Sequence, residues 1–223
     1  MKQRLLYDLA CADESVRFSP YCWRVKLALA HKNLSFKTIP WHFTDKEAIA
    51  FSNQGKVPVL VDGGSVVSDS HEIAEYLETA YPNEASLFGD ASARALTGFV
   101  KAWTEDVLHP AIAPLVVADI WAALAPQDQG YFRETRERFL GRKLEEFAPV
   151  RESYLAAFKK TLTPLRRTLK AQPFLAGTAP NYADHIVFGA LQWARITSQA
   201  PLLEDEAEIS AWMTAVLATY GLK

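Results

Sequence analysis

Residues 57–82 read VPVLVDGGSVVSDSHEIAEYLETAYP, and the order of elements in this stretch decides the fold. Val57 to Val61 is rich in β-branched residues, which suit a pleated strand. Asp62-Gly63-Gly64 is a tight-turn signal, and Ser65 to Ser68 reads as the returning strand of a hairpin. The apolar period then changes. Ile73, Ala74, Leu77 and Tyr81 fall on one face of a helix over His71 to Tyr81, and Pro82 stops it.

Working outward toward the N-terminus, Arg4 to Leu9 and Phe36 to Pro40 read as short strands. Between them Pro20 to Lys32 predicts a helix, with Ser19 at the N-cap position and Pro20 at the first helical one. Residues 1–83 therefore read as β-α-β, a helical segment, then β-β-α. Residues 84–90 read as a linker. Residues 91–223 read as helix throughout: Ser92 to Leu108, Tyr131 to Phe147, Tyr154 to Lys170 with a kink at Pro164, Tyr182 to Thr197, and Glu208 to Tyr220. Pro110 and Pro114 should kink or break the long helix near them. A small α/β domain followed by an all-α domain is the predicted architecture.

The chain has 223 residues and 49% hydrophobic residues, enough for a large core without staples. Its net charge of −2 offers no excess cation for a phosphate backbone, so nucleic acid is not an expected partner. The apolar run from Val107 to Pro126 contains His109, Asp119 and three prolines, a poor membrane span. The charged start, with Lys2, Arg4 and Asp8, does not resemble a signal peptide. Two cysteines, Cys11 and Cys22, are too few for a disulfide scaffold, so a reducing cytoplasm is expected. The five histidines show no metal-ligand spacing, so no metal is expected.

Three short pieces could carry chemistry. Ser19-Pro20-Tyr21-Cys22 places a hydroxyl at a helix N-terminus, where free N–H groups and the dipole favour an anion. A serine at the first position cannot form the disulfide of a Cys-x-x-Cys motif, but it can donate to a ligand thiolate. A hydrogen bond to a charged group is worth about 1.5–3 kcal/mol, or roughly 1–2 pKa units of thiol activation. The alternative is that Ser19 only caps its helix. Lys56-Val57-Pro58 contains a strand proline; a cis bond there would turn the Val57 backbone toward an extended ligand, and an ordinary edge strand is the alternative. Asp69-Ser70 sits between strand and helix, where Ser70 could cap the helix. Equally, Asp69 could take an ammonium while Ser70 and the helix N-terminus take a carboxylate. Cys22 falls on a helix face with Val25 and Leu29 and reads as buried and inert; Cys11, near Asp13 and Glu14, does not read as reactive.

In this order, and on this outline, the three pieces resemble the cytosolic glutathione transferase family over nearly the whole chain. Gly177-Thr-Ala-Pro-Asn-Tyr-Ala-Asp184 is similar to that family's turn into a central helix, with Asn181 as N-cap and Asp184 as its reciprocal partner. Phe18 to Leu29, Pro126 to Arg138, Leu140-Gly141 and Leu144-Glu145 resemble the bacterial β-etherases and fungal etherase-related glutathione transferases with a catalytic serine. The resemblance implies a thioredoxin-like N-terminal domain plus an all-α C-terminal domain, with glutathione as co-substrate. Ser19 would hydrogen-bond the glutathione sulfur, and the Val57 main chain, before a cis Pro58, would pair with the cysteinyl part. Asp69 and Ser70 would hold the γ-glutamyl end. Lys56, with His42 as a second candidate, would meet the glycyl carboxylate. Trp103, Val107, Trp121 and Trp193 would wall the site of a hydrophobic electrophile. The family also implies a homodimer. A non-catalytic protein of the same fold, holding aromatic ligands or partner proteins, is the competing reading.

Overall fold

The computed structural model describes residues 3–222. Strands β1 (Arg4–Leu9), β2 (Lys37–Trp41), β3 (Val59–Asp62) and β4 (Ser65–Ser68) form one mixed sheet in the order β2-β1-β3-β4. β1 pairs parallel to β2, which requires the crossover through helix α1 (Pro20–His31). β3 runs antiparallel to both β1 and β4. The hairpin turns at Asp62-Gly63-Gly64, Asp62 facing Ser65, with Gly63 at φ +61°, a conformation glycine takes without Cβ strain. The segment between β2 and β3 contributes only a short 3₁₀ turn, Glu47–Ser52. Helix α2 (Ser70–Ala80) buries Ile73, Ala74 and Leu77 on the sheet layer.

The helical half holds α3 (Ala91–Trp103), α4 (His109–Ala123), α5 (Pro126–Leu140), α6 (Arg151–Thr161), α7 (Thr163–Ala171), α8 (Tyr182–Thr197) and α9 (Ala207–Thr219). The anticipated break at Pro110 does not occur. A π-helical turn, Thr104–Leu108, joins α3 to α4 in one continuous helix from Ala91 to Ala123. The wider turn immediately before Pro110 absorbs the missing N–H and the ring's clash with the preceding turn. By length and composition this helix could cross a membrane, but it packs against α6 and α8 and carries Lys101 and Glu105 at its middle. The helix predicted over Tyr131 to Phe147 instead starts at Pro126 and stops at Gly141, which takes φ +67° as a left-handed cap. Tyr154 to Lys170 is two helices, because Pro164 opens α7 rather than kinking one long helix.

The two halves are stitched through α8. Gly189 lies so close to α1 that an added Cβ would come 2.4 Å from the Pro20 carbonyl oxygen. The segment expected as a linker carries Leu87 and Phe88 fully buried, and the Leu87 carbonyl accepts from the Tyr182 N–H at 2.8 Å. The Tyr182 hydroxyl in turn donates to the Ser70 carbonyl at 2.7 Å. Asp128, in the first turn of α5, is fully buried. It accepts from the Phe43 N–H (3.1 Å), the Thr44 N–H (2.9 Å) and the Thr44 hydroxyl (2.7 Å), tying the segment after β2 to the helices. Asp184 accepts from the N–H groups of Asn181, Leu175 and Ala176 and from the Trp212 indole.

Candidate functional site

A cavity of about 460 Å³ opens between the halves, with Ser19 and the start of α1 in its wall. Ser19 is nearly buried, and its Oγ accepts the Cys22 N–H at 3.2 Å, so the capping role is realised. That bond uses only a lone pair. The O–H remains available to donate, so capping and thiolate binding are compatible at this residue.

Lys56 and Val57 stand in the same wall, and the Val57–Pro58 bond is cis. The β3 ladder begins at Val59, so the backbone of Val57 lies outside it. The cap of α2 is Asp69 and not Ser70. Its Oδ1 accepts from the His71 N–H (2.7 Å) and the Glu72 N–H (3.3 Å), while Ser70 is the first helical residue. Asp69 holds φ +72°, a conformation that costs a non-glycine residue about 1–3 kcal/mol and is kept only where the surroundings impose it. Asp69 and Ser70 do not line the cavity, but Asp69 is exposed and near enough to Tyr21 to act on it. Burial raises the Tyr21 phenol, Arg24 pulls it down, and the charges of Glu105 and Asp69 add to the rise.

The other wall is apolar and aromatic. Phe43, Tyr131, Phe132, Phe139 and Trp193 contribute to it, together with Val117, Ile120 and Leu140. Of the four residues anticipated here, only Trp193 is in place. Trp103 lines a separate groove with Phe99 and Leu175. Trp121 lies beneath the Arg133 guanidinium, 4.6 Å from the ring centre. Val107 faces outward and is exposed. His42 does not line the cavity either. Its ring nitrogens sit 3.5 Å from Glu14 and 3.6 Å from Asp128, drawn into the clamp that holds the adjacent Phe43 and Thr44.

Polar groups absent from the sequence reading complete the lining. Lys46 lies over the Trp41 and Tyr131 rings and donates to the Gly55 carbonyl at 2.7 Å. Burial would raise the Glu105 carboxyl, but hydrogen bonds from Arg24 and Lys101 outweigh it and hold it below its ordinary value. Burial, with the Arg24 charge second, lowers the His109 imidazole to about 3. His109 is therefore neutral near pH 7 and too weak a base to take a thiol proton. His109 and Arg136 sit at helical positions whose orientation only packing sets, although Arg136 lies within the distinctive Pro126–Arg138 stretch. Cys22 is fully buried, and burial followed by the Asp8 charge raises its thiol well above the ordinary range. Cys11 is pushed up to about 11, by burial first and Asp13 second. Neither is a reactive thiolate. Among the described residues, no group of three or more His, Cys, Asp or Glu side chains could hold a metal ion.

Comparison with known proteins gives this geometry a family. Residues 15–85 match the glutathione S-transferase N-terminal domain, and residues 95–220 match the glutathione S-transferase C-terminal domain. The chain belongs to the glutathione S-transferase family. Glutathione S-transferase 4 of Zea mays is 26% identical over 205 residues, which span 90% of this chain and 84% of that one. A glutathione transferase of Phanerochaete chrysosporium superposes with a TM-score of 0.87 at 26% identity, covering 98% of this chain and 97% of that one. A glutathione S-transferase of Ceriporiopsis subvermispora, solved in complex with glutathione, superposes at 0.85 with 26% identity and 98% coverage of both chains. The mixed sheet followed by helices is this family's fold, a thioredoxin-like domain and an all-α domain.

Proposed function

We propose that this transferase uses Ser19 to hold glutathione as its thiolate and directs the sulfur at an aromatic electrophile in the adjacent cavity. Glutathione is the co-substrate. One observation carries the reading: the cap bond of Ser19 takes a lone pair of its hydroxyl, so the O–H can still donate, in the wall of an aromatic-lined cavity.

Glutathione has two carboxylates, an ammonium and a thiol, and complementary groups surround the cavity. In this reading the Val57 backbone pairs with the cysteinyl unit, in the manner of a strand. Asp69 takes the ammonium, and Ser70 with the N-terminus of α2 takes the γ-glutamyl carboxylate. Lys56 meets the glycyl carboxylate, with Lys46 in the same wall as its second cation. The thiol proton leaves to water, because Ser19 and the α1 dipole stabilise the anion and no base is required. The sulfur then forms a C–S bond at the electrophilic carbon while the leaving group departs with its bonding electron pair. An aryloxide is a suitable leaving group, so β-aryl-ether cleavage belongs to this proposal, supported by the aromatic lining and the etherase-like stretches. The reading includes a homodimer, supported by the exposed Leu96 and Phe99 on α3, and a cytoplasmic location.

The test is calorimetric titration with glutathione. The Asp69→Asn variant keeps the cap acceptor and removes the charge, and it should bind at least about tenfold more weakly. Wild-type protein that fails to bind glutathione would replace this reading with that of a non-catalytic protein for aromatic ligands.

A further inference from the structure

Helix α5 carries its arginines in two different settings. Arg133 is paired with Glu137 (3.0 Å) and Glu145 (2.7 Å), and Arg138 with Glu134 (2.6 Å). Arg136 lines the cavity, and no carboxylate lies within 4.0 Å of it among the described residues. Its guanidinium lies over Phe132, 4.8 Å from the ring centre, and near Phe43 at 5.4 Å. Among the described residues its one hydrogen bond donates from Nη1 to the neighbouring Thr135 hydroxyl at 3.1 Å. Stacking uses the face of a guanidinium and leaves its edge donors free. Glu137, next in sequence, is committed to Arg133 and the Leu144 N–H. Glu105, the one carboxylate lining the cavity among the described residues, is held by Arg24 and Lys101. Arg136 is thus a half-buried cation without a counterion, held against two rings in the cavity lining with donors open to an incoming anion. Burial already disfavours its charged form.

We propose that the electrophilic substrate carries a carboxylate on its aromatic framework, and that Arg136 is the specificity-determining residue that receives it. This rests on the glutathione reading above and adds a charge to the substrate class. Lys46 and Lys56 stand by the cis-proline segment and serve the co-substrate. Arg136 stands on the helical wall among Phe43, Phe132 and Leu140, where the electrophile binds.

The experiment compares 4-chloro-3,5-dinitrobenzoate with its methyl ester as electrophiles for glutathione. In both, sulfur bonds to C4, chloride leaves with the electron pair and the thiol proton goes to water. Each kcat/KM is divided by the uncatalysed rate constant, which removes intrinsic reactivity. The wild type should prefer the acid by roughly 10- to 150-fold. Arg136→Gln should abolish that preference, the loss falling on the acid, with the glutathione Kd unchanged. Arg136→Lys should restore part of it, since it keeps the charge and loses the bidentate fork. If neither electrophile turns over, Kd values for the two S-aryl conjugates are judged by the same criteria. An equal acid-to-ester ratio in wild type and Arg136→Gln would overturn the proposal. So would a weakened glutathione Kd in that variant, which would assign Arg136 to the co-substrate. Wild type that binds glutathione but ignores the substrate's charge sinks this proposal alone. Wild type that binds no glutathione sinks the reading beneath it as well.

Discussion

The cavity has two walls, and they are made differently. The α/β wall uses short sequence pieces of special local conformation, a capped helix start at Ser19 and a cis bond before Pro58, with Asp69 at positive φ outside the lining. The helical wall uses single side chains from α4, α5 and α8, each aimed by the packing of a whole helix. The first wall therefore depends on backbone geometry, and the second on how far α5 and α8 are held from α1. Substitutions that move backbone or helix should affect both walls, whereas substitutions in one wall should affect only its own ligand.

The largest expected effect breaks the connection between the walls. Asp128→Ala would strand three donors of Phe43 and Thr44 beneath α5, at about 3–5 kcal/mol, because the donors stay buried without their acceptor. Thermal unfolding should fall by on the order of 10 °C. An unchanged Tm would mean that the clamp does not hold the walls together. Gly189→Ala comes next, at about 1–3 kcal/mol. Its Cβ would press on the Pro20 carbonyl and shift the start of α1, so glutathione turnover should fall along with Tm.

Within the α/β wall, Ser19→Ala should lower kcat roughly 10- to 150-fold, while glutathione binding changes little. The lost cap adds about 1 kcal/mol of destabilisation. Ser19→Thr, which restores both cap and hydroxyl, should recover stability, and equal kcat in Ser19→Ala would remove the residue from the mechanism. Within the helical wall, Trp193→Ala should raise KM for an aromatic electrophile several-fold, on the scale of an aromatic contact worth about 0.5–1.5 kcal/mol. Trp121→Ala, outside the cavity, should leave KM alone.

The smallest effect is on pH. His109 is held neutral in the folded protein, whereas the unfolded chain binds a proton near the ordinary histidine value. The depressed folded value means that stability is complete above about pH 6.5 and declines as pH falls toward 3. From pH 7.5 to 6.0 this one residue should account for at most about 0.8 kcal/mol. His109→Gln should flatten that part of a Tm-against-pH curve; His31 and His185, also lowered chiefly by burial, will supply a parallel decline in both proteins.

The comparison also explains which parts were legible in the chain. Ser19-Pro20, the Asp62-Gly63-Gly64 turn, Pro82 and Asn181 act within a few residues of themselves, so their positions could be read directly. Gly141 and Pro164 are equally local, and they, rather than the apolar period that runs past them, set the end of α5 and the start of α7. The π turn before Pro110 has no such local mark, and Trp103 just before it and Val107 within it lie outside the cavity lining. His42 was drawn away by Asp128, a partner 86 positions along the chain.

Backbone preference and apolar period acting over neighbouring residues, together with the family resemblance of those short pieces, were enough to specify a thioredoxin-like domain, an all-α domain and the candidate glutathione residues. The direction in which a helix aims one side chain depends on contacts with elements far away in sequence. Tertiary packing alone therefore decided that Trp193 and Arg136 reach the cavity, that Trp121 lies beneath an arginine, and that Arg136 arrives there without a carboxylate.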